Sequence, residues 1–458
     1  MSSIEKFEYI FLGGGKGGKS LAMELARNGK RVAVVEQGMI GGSCINIACI
    51  PSKALIRSAR IAHTVRSQKI LEGHADARLD MKQVHRFVGE VVDGMVEVNQ
   101  KAFDASGFDL ILGTGRFVAP RRIEVTLNDG GVRMVEGEHA FINTGTYAAV
   151  PDVPGLRQAD PMTHVEALAL DRLPDHLVVI GGGYIGLEMA QAFRRLGSEV
   201  TLVQEAPRVA MREDQDVTDA IEAAFAEEGV DVRTHVKPLR VTGQSGQTVS
   251  IELSDGSTVN GTHILVAAGR VPRTYDIGLD AAGVEVDARG FIKTDERLAT
   301  SAPNTWAIGE VAGTPMFTHA SFDDYRVLKS QLAGGHVTTT KDRLIPYALF
   351  IEPELGRVGL NESEAKQKGI EVRVAKLPMA AVPRARTNGD VKGFMKAIVD
   401  AHSDQILGFT MLGQNAGDVV TAVQMAMIGK LPYTAVRDLI IAHPLISEGL
   451  NLLFAKLP

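Results

Sequence analysis

Cys44 and Cys49 are the only cysteines in the sequence, and they stand five residues apart in Gly41-Gly42-Ser43-Cys44-Ile45-Asn46-Ile47-Ala48-Cys49-Ile50-Pro51-Ser52-Lys53. Two cysteines are too few for a disulfide scaffold, so the close pair points to redox chemistry or metal ligation. A zinc site needs further ligands at a recognisable spacing, and the neighbouring sequence supplies none. Five residues of regular helix rise about 7.5 Å, beyond the usual Cα separation of a disulfide. If the two sulfurs bond, the backbone between them is a loop or a distorted turn. Proline is tolerated in the first turn of a helix and not in its interior, so Pro51 predicts a helix beginning near Cys49. A helix N-terminus stabilises a thiolate, and Lys53, one turn further on the same face, adds a second positive charge.

Two glycine clusters suit a different task. Gly13-x-Gly15-x-x-Gly18 follows the strand-like run Tyr9-Ile10-Phe11-Leu12 and opens a helical stretch, and Glu36 ends the next strand. Glycines allow the tight turn, the approach of backbone to a pyrophosphate and the close packing of helix on strand. The helix N-terminus then faces the pyrophosphate, and the carboxylate accepts from ribose hydroxyls. Gly181-x-Gly183-x-x-Gly186 repeats the pattern after Leu177-Val178-Val179-Ile180, but Gln204 ends its second strand and Glu205 follows. A 2′-phosphate calls for arginine at such a place and a free 2′-hydroxyl for an acid. Glu205 stands against Arg208 and Arg212, so NADH and NADPH both remain open, with Glu205 tilting the reading toward NADH.

The elements that position these residues follow one grammar: strand, glycine turn, helix, strand. Short β-branched runs alternating with helices imply parallel sheets wound by right-handed crossovers. The two units start about 168 residues apart, too far to be adjacent repeats of one domain. Residues 82–107 read as a helix, and 115–150 as short antiparallel strands broken at Asn128-Asp129-Gly130-Gly131. Domain boundaries are expected near Pro151 and Pro154 and again near 270–275. Beyond about residue 340, strands (347–351, 357–360, 394–399) and helices (361–368, 415–430) read as a separate α+β domain.

A chain of 458 residues holds about two to four domains. The 49 basic and 55 acidic residues give a net charge of −6, which argues against a generic nucleic-acid or anionic-membrane binder. No apolar run approaches the roughly 20 residues of a membrane-spanning helix. The N-terminus lacks the basic and apolar regions of a signal peptide, so the expected location is the cytoplasm.

The segment GGSCINIACIPSK resembles the redox signature of the class I pyridine nucleotide–disulfide oxidoreductases, a family that includes dihydrolipoamide dehydrogenase, glutathione reductase, mercuric reductase and the reactive-chlorine or hypothiocyanous-acid reductases. The likeness runs through the whole chain in the family's order. NTGTY (143–147) and GRVPRT (269–274) resemble flavin-domain segments, TSAPNTWAIGEVAG (300–313) the motif at the flavin's ribityl chain, and FTHASFDDY (317–325) the segment beside the isoalloxazine. His443-Pro444-Leu445-Ile446-Ser447-Glu448 resembles the histidine motif of the dimer interface. Three positions depart from the usual pattern: Glu310 for aspartate, Ala48 for glycine and Asp418 for glutamate. Mercuric reductases carry a further C-terminal cysteine pair and usually lack the histidine; this sequence ends LLFAKLP and keeps His443. GKGGKSLA and SEGLNLLF look closest to the reactive-chlorine reductase subgroup.

The resemblance implies an α/β fold: two Rossmann-like domains, for FAD and for NAD(P), and a C-terminal α+β dimerisation domain. The corresponding limits are 1–148 and 273–338 for the FAD domain, 149–272 for the NAD(P) domain and 339–458 for the interface domain. It implies a redox-active Cys44–Cys49 disulfide that takes a hydride equivalent from NADH or NADPH through FAD and passes it to a small disulfide or oxidant. Cys49 is then the thiol beside the flavin, with Lys53 near the ring and paired with Glu188. Cys44 attacks the substrate, His443 cycles its proton and Glu448 orients the imidazole. Gly13, Gly15, Gly18, Glu36, Gly42, Ser43, Lys53, Thr144, Gly145, Gly269, Gly309 and Glu310 fall to the flavin. Gly181, Gly183, Gly186 and Glu205 fall to the nicotinamide nucleotide. No metal is expected, and the partner is a second copy of the chain. The competing readings are a dihydrolipoamide dehydrogenase subunit of a larger complex and a mercuric-reductase-like metal reductase.

Overall fold

The apolar run before the first glycine cluster forms strand β1 (Ile4–Leu12), the glycines turn the chain into helix α1 (Lys16–Arg27), and the chain returns as β2 (Val32–Glu36). All five residues of β2 are buried, as expected of a strand covered on both faces of a parallel sheet. On α1, Leu21, Ala22 and Leu25 pack inward against that sheet. This computed structural model describes residues 4–67, 79–334 and 337–457.

A short helical turn, α2 (Ser43–Asn46), precedes α3 (Cys49–Ser67), and α4 (Met81–Asp104) is capped by the Asp80 carboxylate, which accepts from the Lys82 amide. An antiparallel meander follows: β3 (Asp109–Ala119), β4 (Arg122–Leu127) and β5 (Val132–Ile142), with the reversal at Asn128–Gly131. The arms of the meander also extend the first sheet. Its parallel core runs β3-β2-β1-β5, and strand Thr305–Ala307 joins on the far side of β5 from a much later part of the chain. The flavin-type domain is therefore assembled from two separated stretches of sequence.

Between those stretches, β6 (Thr146–Ala148) leads out toward α5 (His164–Leu168), β7 (His176–Ile180), α6 (Tyr184–Leu196) and β8 (Glu199–Val203). The second parallel sheet has the order His263–Val266, β7, β8, Asp231–Arg233. The register repeats that of the first: Leu12 pairs with Val35, and Ile180 with Val203. The chain comes back through Arg270–Pro272, which pairs antiparallel with β6.

The last domain is a five-stranded antiparallel sheet backed by helices, among them Ala416–Ile428. Two of its strands, Val372–Pro378 and Ile406–Leu412, were not expected from the sequence. Ile406–Leu412 lies between two other strands and is almost wholly buried, so it is apolar on both faces apart from Thr410 and lacks the alternation that marks a half-buried strand.

Candidate active site

The first glycine turn is held by backbone geometry that side chains would block. Gly13 has φ +100°, and a Cβ there would come within 2.4 Å of the Asn143 carbonyl oxygen. The Gly14 amide donates to Glu36 Oε2 at 2.7 Å, while Glu36 Oε1 accepts from the Gly38 and Met39 amides at 3.1 and 3.2 Å. The Glu36 carboxylate is thus fixed at the rim of the turn, beside the positive end of α1. Asn143 closes the other side: its Oδ1 accepts from the Gly18 amide at 3.1 Å, and its Nδ2 donates to the Ile308 carbonyl at 2.7 Å.

The second turn repeats this construction with one change of chemistry. The Gly182 amide donates to Gln204 Oε1 at 2.8 Å, the contact that Gly14 makes with Glu36. Gly183 caps the N-terminus of α6, and Gly186 lies so close to Gly181 that a Cβ would reach within 1.9 Å of its carbonyl oxygen. A neutral amide, not a carboxylate, therefore occupies the place equivalent to Glu36. Glu205 stands one residue further on, with a side chain 76% exposed and 4.0 Å from Lys237.

A cavity of about 350 Å³ runs from the first turn to Cys44. Gly13, Gly15 and Glu36 wall one end, and Gly42, Ser43 and Cys44 the other. Between them lie Thr144, Gly145 and Glu310. Glu310 bonds the Thr146 hydroxyl and lies 3.3 Å from Arg270 Nε, which is how the longer side chain is accommodated in place of aspartate. Gly309 (φ +75°) donates its amide to the fully buried Asp324 at 2.8 Å. Gly269 holds the crossing strand through its carbonyl, which accepts from the Ala149 amide at 2.9 Å. These residues fit an extended dinucleotide: amides and a helix terminus for the pyrophosphate, Glu36 for a ribose, and an acid part-way along toward the sulfurs.

Cys44 and Cys49 are both free thiols and half-buried. Cys44 sits in α2 and Cys49 opens α3, so the backbone between them is the break between two helices. Cys44 donates a hydrogen bond to Cys49, and this bond, more than any other influence, depresses the Cys49 thiol to about 6 despite its burial. Thr318, whose Oγ1 lies 3.3 Å from Cys49 Sγ, and the Lys53 charge act in the same direction. Cys44 moves the opposite way and keeps the shared proton. Lys53 Nζ is 2.8 Å from Glu188 Oε2 on α6 and stacks over the Phe350 ring at 4.7 Å; Glu188 Oε1 accepts from the Phe350 amide at 2.9 Å. One ion pair thus ties both dinucleotide domains to the last domain.

His443 Nδ1 lies 2.9 Å from Glu448 Oε1, whose Oε2 accepts from the Leu445 amide at 2.8 Å. Within the single chain this pair is not on the cavity wall, and the His443 side chain is 69% exposed. Three further residues belong to the site as built here: Asn143, Gln204 and Thr318. Asn143 and Thr318 stand inside segments quoted for the family likeness, but their contacts lie 125 and 269 residues away in sequence. Gln204 was legible as the strand-ending residue; the pull of the neighbouring Glu205 charge obscured it.

Comparison with known proteins shows the family of the chain. Residues 7–324 match the family model for pyridine nucleotide-disulphide oxidoreductases, and residues 345–453 match that family's dimerisation domain. The chain is 37% identical over 457 residues to the probable pyridine nucleotide-disulfide oxidoreductase RclA of Escherichia coli (strain K12), covering 99% of both. It is 33% identical to a mercuric reductase of Bacillus cereus, covering 97% of this chain and 70% of that one. The solved Cu(II) complex of the HOCl-induced flavoprotein disulfide reductase RclA from Escherichia coli superposes with a TM-score of 0.92 at 36% identity, over 99% of this chain and all of that one.

Proposed function

Because the chain belongs to the pyridine nucleotide-disulphide oxidoreductase family and is an FAD-dependent oxidoreductase using NAD(P)H, we propose that Cys44 and Cys49 are its redox pair and reduce a small disulfide or thiol-reactive oxidant. The observation that carries this reading is a pair of free thiols meeting at the break between α2 and α3, with Cys44 on the wall of the dinucleotide cavity and Cys49, of lower proton affinity, bonded to it. Gly13, Gly15, Glu36, Thr144, Gly145 and Glu310 would hold FAD along that cavity, where it would supply two-electron transfer between a nicotinamide and the sulfurs. The protein's own groups do the rest.

Cys49, thiolate at neutral pH, is the sulfur on the flavin side, and Lys53 with Glu188 sets the local charge. Cys44 gives its proton to His443, and its thiolate attacks one sulfur of a disulfide substrate, forming a mixed disulfide and expelling the first thiolate, which His443 protonates. Cys49 thiolate then attacks Cys44 sulfur and expels the second thiolate. Two electrons leave the dithiol, and the Cys44–Cys49 disulfide is restored. For His443 to reach Cys44, a second copy of the chain must supply it. Supporting this, the stretch that matches the dimerisation domain and carries His443 also exposes large apolar side chains, Ile440 at 98%, Met425 at 70% and Ile428 at 65%. A two-fold dimer covers such a surface and creates two equivalent sites. No helix of the described residues is long and apolar enough to cross a membrane.

A soft metal ion is the second reading, favoured by two neighbouring free thiols, one of them on the cavity wall, and by the copper and mercury named for relatives. The test is a panel of lipoamide, glutathione disulfide, mercuric ion, copper(II) and hypothiocyanous acid, with NADH and NADPH. Turnover of a disulfide or oxidant that Cys44→Ser abolishes, while hydride uptake from the nucleotide persists, supports the proposal. Undiminished turnover in Cys44→Ser overturns it.

A further inference from the structure

A lysine that the mechanism does not use lies under the redox loop. Lys19, on the second turn of α1, is 3% exposed. Its Nζ donates to the Gly41 carbonyl at 3.0 Å, three residues before Cys44, and to the Asn99 side-chain oxygen on α4. The loop is shaped around it: Gly41 has φ +93°, and a Cβ there would lie 3.3 Å from Lys19 Nζ and 2.8 Å from Ile45 Cδ1. Asn99 is itself held by donating Nδ2 to the Met95 carbonyl at 2.7 Å. No carboxylate pairs with Lys19 among the described residues; its anchors are two neutral oxygens. A buried ammonium without a counter-charge is costly and persists only where something repays it.

We propose that Lys19 is a positioning residue for the redox pair: it fastens the loop that carries Cys44 to α1 and α4, and its charge favours the thiolate that Cys44 must become. The proposal rests on the assignment of Cys44 as the substrate-facing sulfur. Lys53 and Glu188 face Cys49, whereas the groups that face Cys44 are Cys49, Thr318 and Lys19. Lys19 in turn faces Lys16 on its own helix and Cys44 across the loop. Burial pulls the Lys19 ammonium down to about 8, Lys16 pulls the same way and Cys44 opposes them, so the charge is present at neutral pH. The pair then has two cations with separate duties, one for each sulfur.

The test titrates Cys44 in the FAD-loaded Cys49→Ser protein, where the other thiolate is absent. Thiolate absorbance in the ultraviolet at pH 7, where the Lys19 ammonium is charged, reports the Cys44 thiolate fraction without reagent access, and the iodoacetamide alkylation rate at the same pH reports it independently. Removing a nearby positive charge disfavours the anion, so Lys19→Met should lower the thiolate fraction and slow alkylation at pH 7 by about threefold to tenfold. Lys19→Arg keeps the charge and should not slow alkylation. Asn99→Asp neutralises the ammonium without removing it and should slow alkylation likewise, so the test survives if Lys19→Met folds poorly. A thiolate fraction and alkylation rate at pH 7 unmoved in both Lys19→Met and Asn99→Asp overturn the proposal. Cys44 that titrates by absorbance but resists alkylation would instead refute its substrate-facing assignment, leaving the Lys19 result readable.

Discussion

Changing Gln204 to glutamate should make the protein reject NADPH. The two glycine turns are built alike: Gly14 donates to Glu36 and Gly182 to Gln204, at 2.7 and 2.8 Å across the same 22-residue span. The Gly182 amide would therefore hold a glutamate at 204 as Gly14 holds Glu36, with its free oxygen toward the adenosine ribose. At about 5 Å, and an effective dielectric of about 40 for a half-exposed position, Coulomb's law gives ~1.7 kcal/mol per pair of unit charges. A phosphate monoester carries about 1.5 to 2 charges, which makes ~2.5–3.3 kcal/mol before salt screening. The expected outcome is a loss of kcat/KM for NADPH of roughly 60- to 230-fold at low salt, by the tenfold-per-1.4 kcal/mol rule. NADH should hold or gain about fivefold, because a charged acceptor binds a ribose hydroxyl more strongly than an amide does. Steady-state kcat/KM with each nucleotide and one common oxidant measures both. Glu205→Arg, at an exposed position beside Lys237, should shift the ratio toward NADPH by less. If Gln204→Glu changes the NADPH-to-NADH ratio less than about threefold while Glu205→Arg changes it more, position 204 does not border the 2′ group and the reasoning fails.

The remaining predictions concern the sulfurs, the dimer and the turn. In the dithiol protein the Cys49 thiolate should persist above a midpoint of about 6 and be lost below it. Cys44→Ala removes the main cause of that depression, so the midpoint should rise by about one to two units, read by thiolate absorbance; Lys53→Met should raise it less, since the Lys53 charge is a smaller influence than the Cys44 hydrogen bond. A midpoint unchanged in Cys44→Ala would show that the hydrogen bond is not what holds the thiolate. Cys44→Ser and His443→Ala, each poorly active as a homodimer, should regain up to about half of wild-type turnover in an isolated mixed dimer, because one of two sites is then complete. Turnover no higher than either parent's would mean the histidine does not act across an interface. Gly42→Ala forces a side chain into φ +83° with its Cβ 2.9 Å from Gly15 Cα. It should cost about 1–3 kcal/mol in stability, by thermal unfolding, and weaken flavin retention in dialysis, because the redox turn can no longer close on the glycine turn.

Local chemistry makes much of this protein legible in its sequence. A glycine turn works only between a strand and a helix, so both dinucleotide motifs could be placed on their elements, and Pro51 placed the start of α3 at Cys49. The Lys53–Glu188 and His443–Glu448 pairs came from family likeness, and the structure sets both within 2.9 Å. What no local pattern could supply was anything made by long-range packing. Strand Thr305–Ala307 joins β5 from some 160 residues away, and Thr318 reaches Cys49 across 269. Gln204, not the charged Glu205, meets the turn because strand register decides which of two neighbouring side chains points at Gly182. The division of the proton between Cys44 and Cys49 depends on the break between α2 and α3, which lets two sulfurs meet that a continuous helix would hold apart. Nothing in the local sequence marks Lys19. Only tertiary structure buries it, because α4 and the Gly41 loop close over α1 and leave its ammonium facing carbonyl oxygens instead of water.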